Sequence, residues 1–191
     1  MQIETYLEKY IEDIENIKPK GLCIWLTGLP CSGKTTISNA LKQFFENLGK
    51  TVTVIDGDII RQFLSNGDFF KEARIKNNLL AGYIASEIVK HGGIVICALV
   101  SPYEKTRQAV KSFFEDDEFV LVHLNPPIDM CIQRDVKGMY KKALKGEIKN
   151  FTGISDVYEP PRKADLVIDT SLNTVGETVE KIINFIFFRE N

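Results

Sequence analysis

The chain has 191 residues, 44% hydrophobic and 26% charged, with a formal net charge of −2. That length carries one domain with a full core, and the near balance of charge excludes a broad electrostatic grip on nucleic acid. No apolar run approaches the ~20 residues needed to span a bilayer, and Cys23, Cys31, Cys97 and Cys131 form neither a C-x-x-C pair nor a disulfide framework.

Residues 1–20 read as a helical extension with Ile3, Tyr6, Leu7, Tyr10, Ile11 and Ile14 on one face. Pro19 and Gly21 end it, and the domain proper runs from 21 to 191. The segment is acidic and amphipathic, unlike a signal peptide, so the cytoplasm is the expected compartment. Leu22–Thr27 is a first apolar strand. The run Gly28-Leu-Pro-Cys31-Ser32-Gly33-Lys34-Thr35 follows and fits G-x-x-x-x-G-K-[ST], and a helix from Lys34 to about Phe45 comes next. Strand, glycine loop and helix in that order are what a phosphate loop needs. Backbone N–H groups and the helix N-terminus are expected to face the phosphates of a nucleoside triphosphate. Lys34 is expected on the β- and γ-phosphates and the Thr35 hydroxyl on Mg2+, with Gly28, Cys31, Ser32, Gly33 and Thr36 completing the cradle. A plain glycine turn before an ordinary helix is the bland alternative. The Cys31 thiol sits where a helix N-terminus favours thiolate, although a loop filler pointing away is the simpler reading.

Thr51–Ile55 is a second strand, ending at Asp56-Gly57-Asp58. A kinase acting on a hydroxyl needs a carboxylate beside it, and Asp56 is the candidate. Arg61 could pair with an anionic acceptor, while Asp58 also reads as a helix N-cap. A long helix from about Lys71 to His91 is broken by Gly92-Gly93. Ile94–Val100 is a third strand, Pro102–Phe114 a helix, Phe119–Leu124 a fourth strand, and Pro126 or Pro127 opens a helix through Arg134. Residues 137–161 have no long apolar face and read as a mobile flap. Asp165–Asp169 is a fifth strand and Asn173–Phe188 a closing helix. The expected fold is α/β, a five-stranded parallel sheet with helices on both faces. Ligands in such folds bind beyond the carboxyl ends of the strands, where Thr27, Asp56, Val100, Ser101 and Asn125 fall. His91 and His123 look structural.

Four blocks are similar to the adenylylsulfate kinase (APS kinase) family: Gly28–Thr36, Asp56-Gly-Asp58 with Arg61, Ser101-Pro-Tyr103 with Arg107, and above all Arg134–Pro161. The resemblance covers about residues 20–190. It implies a P-loop-kinase-like fold, with ATP and Mg2+ used to phosphorylate the ribose 3′-hydroxyl of adenosine 5′-phosphosulfate. It implies that Lys34 and Asp56 are catalytic and that Arg134 lies on the nucleotide side. It places Phe69 and Phe151 on either side of the acceptor base, with Arg74, Asn77 and Lys137 around its anionic groups. Val100 and Ser101 are expected as acceptor contacts, with direct transfer rather than a phosphoserine intermediate. A homodimer is implied too. For Phe151 a core role is the weaker reading, because its neighbours in sequence are polar. Departures cluster at the acceptor side. Ile59 stands where the family has Asn, the stretch between Arg61 and Phe69 is one residue short, and Gly67-Asp68 precede Phe69 in place of Leu-Gly. Asn77-Asn78-Leu79-Leu80 replaces Asn-Ile-Arg-Arg, a loss of two basic side chains. Two alternatives follow: a kinase of another nucleotide-like acceptor such as cytidine diphosphoramidate, or an ATP-binding module without kinase activity.

Overall fold

A computed structural model describes residues 21–64 and 70–188. The expected helix over 1–20 lies outside the described residues, as does Phe69. Five strands form one parallel sheet: β1 (Leu22–Thr27), β2 (Val52–Asp56), β3 (Ile94–Ala98), β4 (Phe119–Leu124) and β5 (Leu166–Ile168). Their order is β2-β3-β1-β4-β5, so β1 is central and its carboxyl end opens at the middle of the sheet. Between them run α1 (Lys34–Asn47), α2 (Gly57–Leu64), α3 (Lys71–Lys90), α4 (Glu104–Lys111), α5 (Ile128–Arg134), α6 (Met139–Leu144) and α7 (Val175–Phe188).

The all-apolar strands are explained by what covers them. Ile24 and Leu26 of β1 pack with Ile37, Leu41 and Phe45 of α1 and Ile182 and Ile183 of α7. Cys23 and Trp25 point the other way, into a core with Ala81, Ala85 and Val89 of α3 and Val110 of α4. A strand alternates faces with period two, so a sheet covered on both sides reads as one continuous hydrophobic run. The small residues of α3 let it lie close. A Cβ on Gly82 would come within 2.8 Å of Val110. Thr174 and Glu177 close a reciprocal capping box at the start of α7, through Glu177 N to Thr174 Oγ1 at 3.2 Å and Thr174 N to Glu177 Oε2 at 2.7 Å.

Several boundaries differ from expectation. Gly57–Leu64 is a helix where the sequence suggests a turn. Asp56 is its cap: the Asp58 N–H donates to Asp56 Oδ1 at 2.7 Å. Asp58 is therefore not the N-cap but lies in the first turn. Strand β3 ends at Ala98, two residues before Val100, and the chain turns through Ser101 at φ 46°. Helix α4 starts at Glu104 after Tyr103, so Ser101 does not cap it. Within 137–161 the six-residue α6 forms, and a third cluster joins Cys131, Tyr140, Ala143 and Phe151, with Leu29 and Cys31 packed against it. No helix among the described residues is long and apolar enough to cross a membrane.

Candidate active site

A cleft of about 560 Å³ opens across the carboxyl ends of the strands. One half is the phosphate loop. Gly28 has φ 154°, and a Cβ there would sit 2.3 Å from the Leu124 carbonyl, so only glycine permits this approach. Gly33, at φ 97°, precedes the first turn of α1. Ser32 is buried, and its carbonyl accepts from Thr170 Oγ1 at 2.9 Å. Cys31 packs back on the third cluster and also lines the cleft, with Thr36 further along. Lys34 Nζ donates to the Leu29 carbonyl at 2.7 Å and the Gly28 carbonyl at 3.0 Å. Burial pulls its ammonium down to about 8, against the opposing pull of nearby acidic groups that include Asp56 and Asp58. Arg134 donates to Thr170 Oγ1 at 2.9 Å, to the Thr170 carbonyl at 2.7 Å and to the Cys31 carbonyl of the phosphate loop at 3.4 Å.

Thr35 joins the two halves. Its Oγ1 donates to Asp56 Oδ2 at 3.1 Å. Among the described residues there is no cluster of three or more His, Cys, Asp or Glu able to hold a metal. A threonine hydroxyl beside one carboxylate is nonetheless the donor set a magnesium nucleotide needs, because Mg2+ keeps waters and takes phosphate oxygens. The residues fit the ion.

Asp58 forms an electrostatic knot in the first turn of α2. It pairs with Arg61, and Lys137 of the flap reaches its Oδ2 at 2.6 Å. Partial burial works to raise the Asp58 carboxyl, but Lys137, Arg61 and Lys34 outweigh it and hold it below the ordinary carboxylate value. Arg74 is committed elsewhere. It donates to Thr152 Oγ1 and to the Asn150 carbonyl, both at 2.5 Å, and lies 3.8 Å from Asp156. It thus ties α3 to the flap on either side of Phe151. Asn77 is buried and lines the cleft.

Phe151 corrects the sequence reading. It is 1% exposed and meets Tyr140 edge-on at 5.0 Å, so it has ample apolar company while still forming part of the cleft wall. Ile148 and Ile154 supply part of that company locally, but Tyr140, Cys131 and Leu29 come from earlier segments that only folding brings to it. Phe70 is 58% exposed and precedes α3. At 79–80, where the family has two basic side chains, neither Leu79 nor Leu80 lines the cleft, and Leu79 packs toward the second core.

Val100 and Ser101 line the cleft. Ser101 is buried, and its Oγ has no hydrogen-bond partner. Its carbonyl accepts from Arg107 Nη1 at 2.6 Å. Arg107 is itself buried, and its Nη2 donates to Glu104 Oε2 at 2.5 Å and to the Glu159 carbonyl at 2.6 Å. Sequence reasoning missed Thr170 and Thr152. Thr170 was within reach, because it lies just past β5 at the same sheet edge as the residues singled out. Thr152 carried no signal.

A family model for adenylylsulphate kinase matches residues 20–169. The probable adenylyl-sulfate kinase of Aeropyrum pernix is 42% identical over 170 residues, 87% of this chain and 93% of its own length. The adenylyl-sulfate kinase of Rippkaea orientalis is 45% identical over 167 residues, 87% and 91% of the two chains. The APS kinase of Mycobacterium tuberculosis, solved with AMPPNP and APS, superposes with a TM-score of 0.83 at 29% identity, covering 88% of this chain and 99% of that one. Sequence and fold agree from the phosphate loop through the flap to β5, and the chain belongs to the adenylylsulphate kinase family.

Proposed function

We propose that this protein is an ATP-dependent kinase that phosphorylates the ribose 3′-hydroxyl of adenosine 5′-phosphosulfate, giving 3′-phosphoadenosine 5′-phosphosulfate and ADP. The observation that carries the reading is the Thr35–Asp56 contact at 3.1 Å, which sets a phosphate-loop hydroxyl beside a carboxylate at the end of the next strand. Donor phosphate and acceptor hydroxyl then meet at one point. The relatives are adenylyl-sulfate kinases, and a solved neighbour holds AMPPNP and APS, which supports the choice of acceptor.

Lys34 would leave the loop carbonyls for the β- and γ-phosphates, and Gly28, Cys31, Ser32, Gly33 and Thr36 would cradle the chain. Thr35 would hold Mg2+, which neutralises charge building on the phosphate oxygens. Asp56 orients the 3′-hydroxyl and takes its proton as the oxygen attacks the γ-phosphorus in line. The bond to the β–γ bridging oxygen breaks, and ADP leaves. Arg61 and Lys137 would turn from Asp58 toward the phosphosulfate, and Phe151 would back the base. Phe69 is proposed opposite it. Closure of the flap would exclude water and limit hydrolysis. The protein is proposed to work as a cytoplasmic homodimer, for which light scattering of the full chain is the check.

The deciding experiment is a coupled assay of ADP release with adenosine 5′-phosphosulfate, with the product located by mass spectrometry. A 3′-phosphorylated product is expected. ATP turnover that yields phosphate and no phosphorylated nucleotide would refute the reading.

A further inference from the structure

Asn78 of α3 is buried and lines the cleft with Asn77 and Ser101. Its Nδ2 donates to the Arg74 carbonyl, one turn earlier, at 2.7 Å, and its Oδ1 has no partner. That bond fixes which way the amide faces. Turned over, Oδ1 would oppose the Arg74 carbonyl, oxygen against oxygen, and the bond would be lost. The unpaired group is therefore an acceptor. A buried amide oxygen without a donor costs free energy, and folded proteins keep few of them. Leucine would fill a similar volume on this helix without that cost.

An acceptor oxygen repels the oxygens of phosphate and sulfate. Only the N–H and O–H groups of a nucleotide suit it. The 3′-hydroxyl belongs at Asp56 in the mechanism above. Asn78 shares the cleft lining with Phe151, and Arg74, whose backbone carbonyl holds the Asn78 amide, sends its guanidinium to Asn150 and Thr152 on either side of that ring. We infer that Asn78 Oδ1 accepts a hydrogen bond from the exocyclic amine of the acceptor's base, and so selects amino-bearing bases over their oxo counterparts. The inference rests on the proposed kinase activity, and its test separates the two.

Turnover and binding are measured with adenosine and inosine 5′-phosphosulfate, and with the matching cytidine and uridine nucleotides. The wild type should favour the amino base by about tenfold or more in kcat/KM. Asn78→Leu should bring that ratio to within about twofold, the span left when one hydrogen bond no longer discriminates. Its affinity for MgATP should be unchanged. Asn78→Met replaces the leucine variant if that does not fold. A wild type indifferent to the amine, or an Asn78→Leu variant with the full ratio, overturns the inference. If adenosine 5′-phosphosulfate is a substrate without such a preference, the kinase reading stands and this one falls. If only the cytidine nucleotide is turned over, the acceptor is revised and the role of Asn78 stands. Binding of none of the four removes both.

Discussion

Asp56 does two separable things, and a pair of variants pulls them apart. Its Oδ1 caps α2 through the Asp58 N–H at 2.7 Å, and its Oδ2 accepts from Thr35 Oγ1 at 3.1 Å. Asparagine keeps an oxygen for the cap and is as good a cap as aspartate, but it cannot take a proton. Asp56→Asn should therefore change stability by less than about 0.5 kcal/mol. Loss of a positioned base should lower kcat by about 10² to 10⁴, which is roughly 3–5 kcal/mol on the barrier. Asp56→Ala loses the base and the cap together. It should suffer a similar fall in kcat and a further ~1 kcal/mol of stability, or a Tm lower by about 2–4 °C for a chain of this size. Steady-state ADP release at saturating substrates reads the first effect, scanning calorimetry the second, and titration with MgATP confirms an intact donor site. An Asp56→Asn enzyme within tenfold of wild-type kcat would refute the assignment of the base. Equal Tm losses in both variants would refute the cap.

Burial holds Lys34 at about 8 against 10.5 in water, and phosphate oxygens favour its charged form. Binding of MgATP at pH 9 should therefore take up protons, which calorimetry in two buffers of different ionisation heat detects; proton-neutral binding contradicts this. The Lys137–Asp58 pair is 67% exposed on its lysine side, so Lys137→Ala should cost less than about 1 kcal/mol in urea melts while raising KM for the acceptor. A large loss of stability with KM unchanged would reverse its role. Burial, aided by Arg107 and Lys34, holds His123 down at about 4 against 6.5. Its folded value lies below its unfolded one, so the unfolded chain binds the proton first and stability drops as pH falls from 6.5 toward 4. His123→Phe, which keeps an aromatic ring beside Tyr158, should flatten that loss between pH 7 and pH 5; an unchanged slope counts against it.

The sheet was legible because β1, β3 and β4 are nearly continuous apolar runs and β2 is rich in β-branched residues, and the phosphate loop because its glycines, lysine and threonine lie within one short stretch. What stayed hidden depends on partners far along the chain. Asp56-Gly57-Asp58 reads as a turn, yet Asp56 starts a helix whose Ile60 packs toward the second core while Ile59 stays exposed. Phe151 reads as isolated because Tyr140, Cys131 and Leu29 are brought to it only by folding. Arg74 reads as a free cation for the acceptor, but Thr152 and Asn150, over seventy positions away, already engage it. Spacing reveals what shares an element. It does not reveal which side chain another segment will claim.

The small core beneath the flap has a consequence for exchange of parts between relatives. Tyr140 donates its hydroxyl to the Pro30 carbonyl at 3.0 Å, and Leu29 and Cys31 pack on the same cluster as Phe151. The segment 137–161 and the phosphate loop are thus one piece of architecture, not two modules. A stretch 137–161 transplanted from a relative would have to bring matching residues at 29–31 with it, because the two segments share one packed cluster.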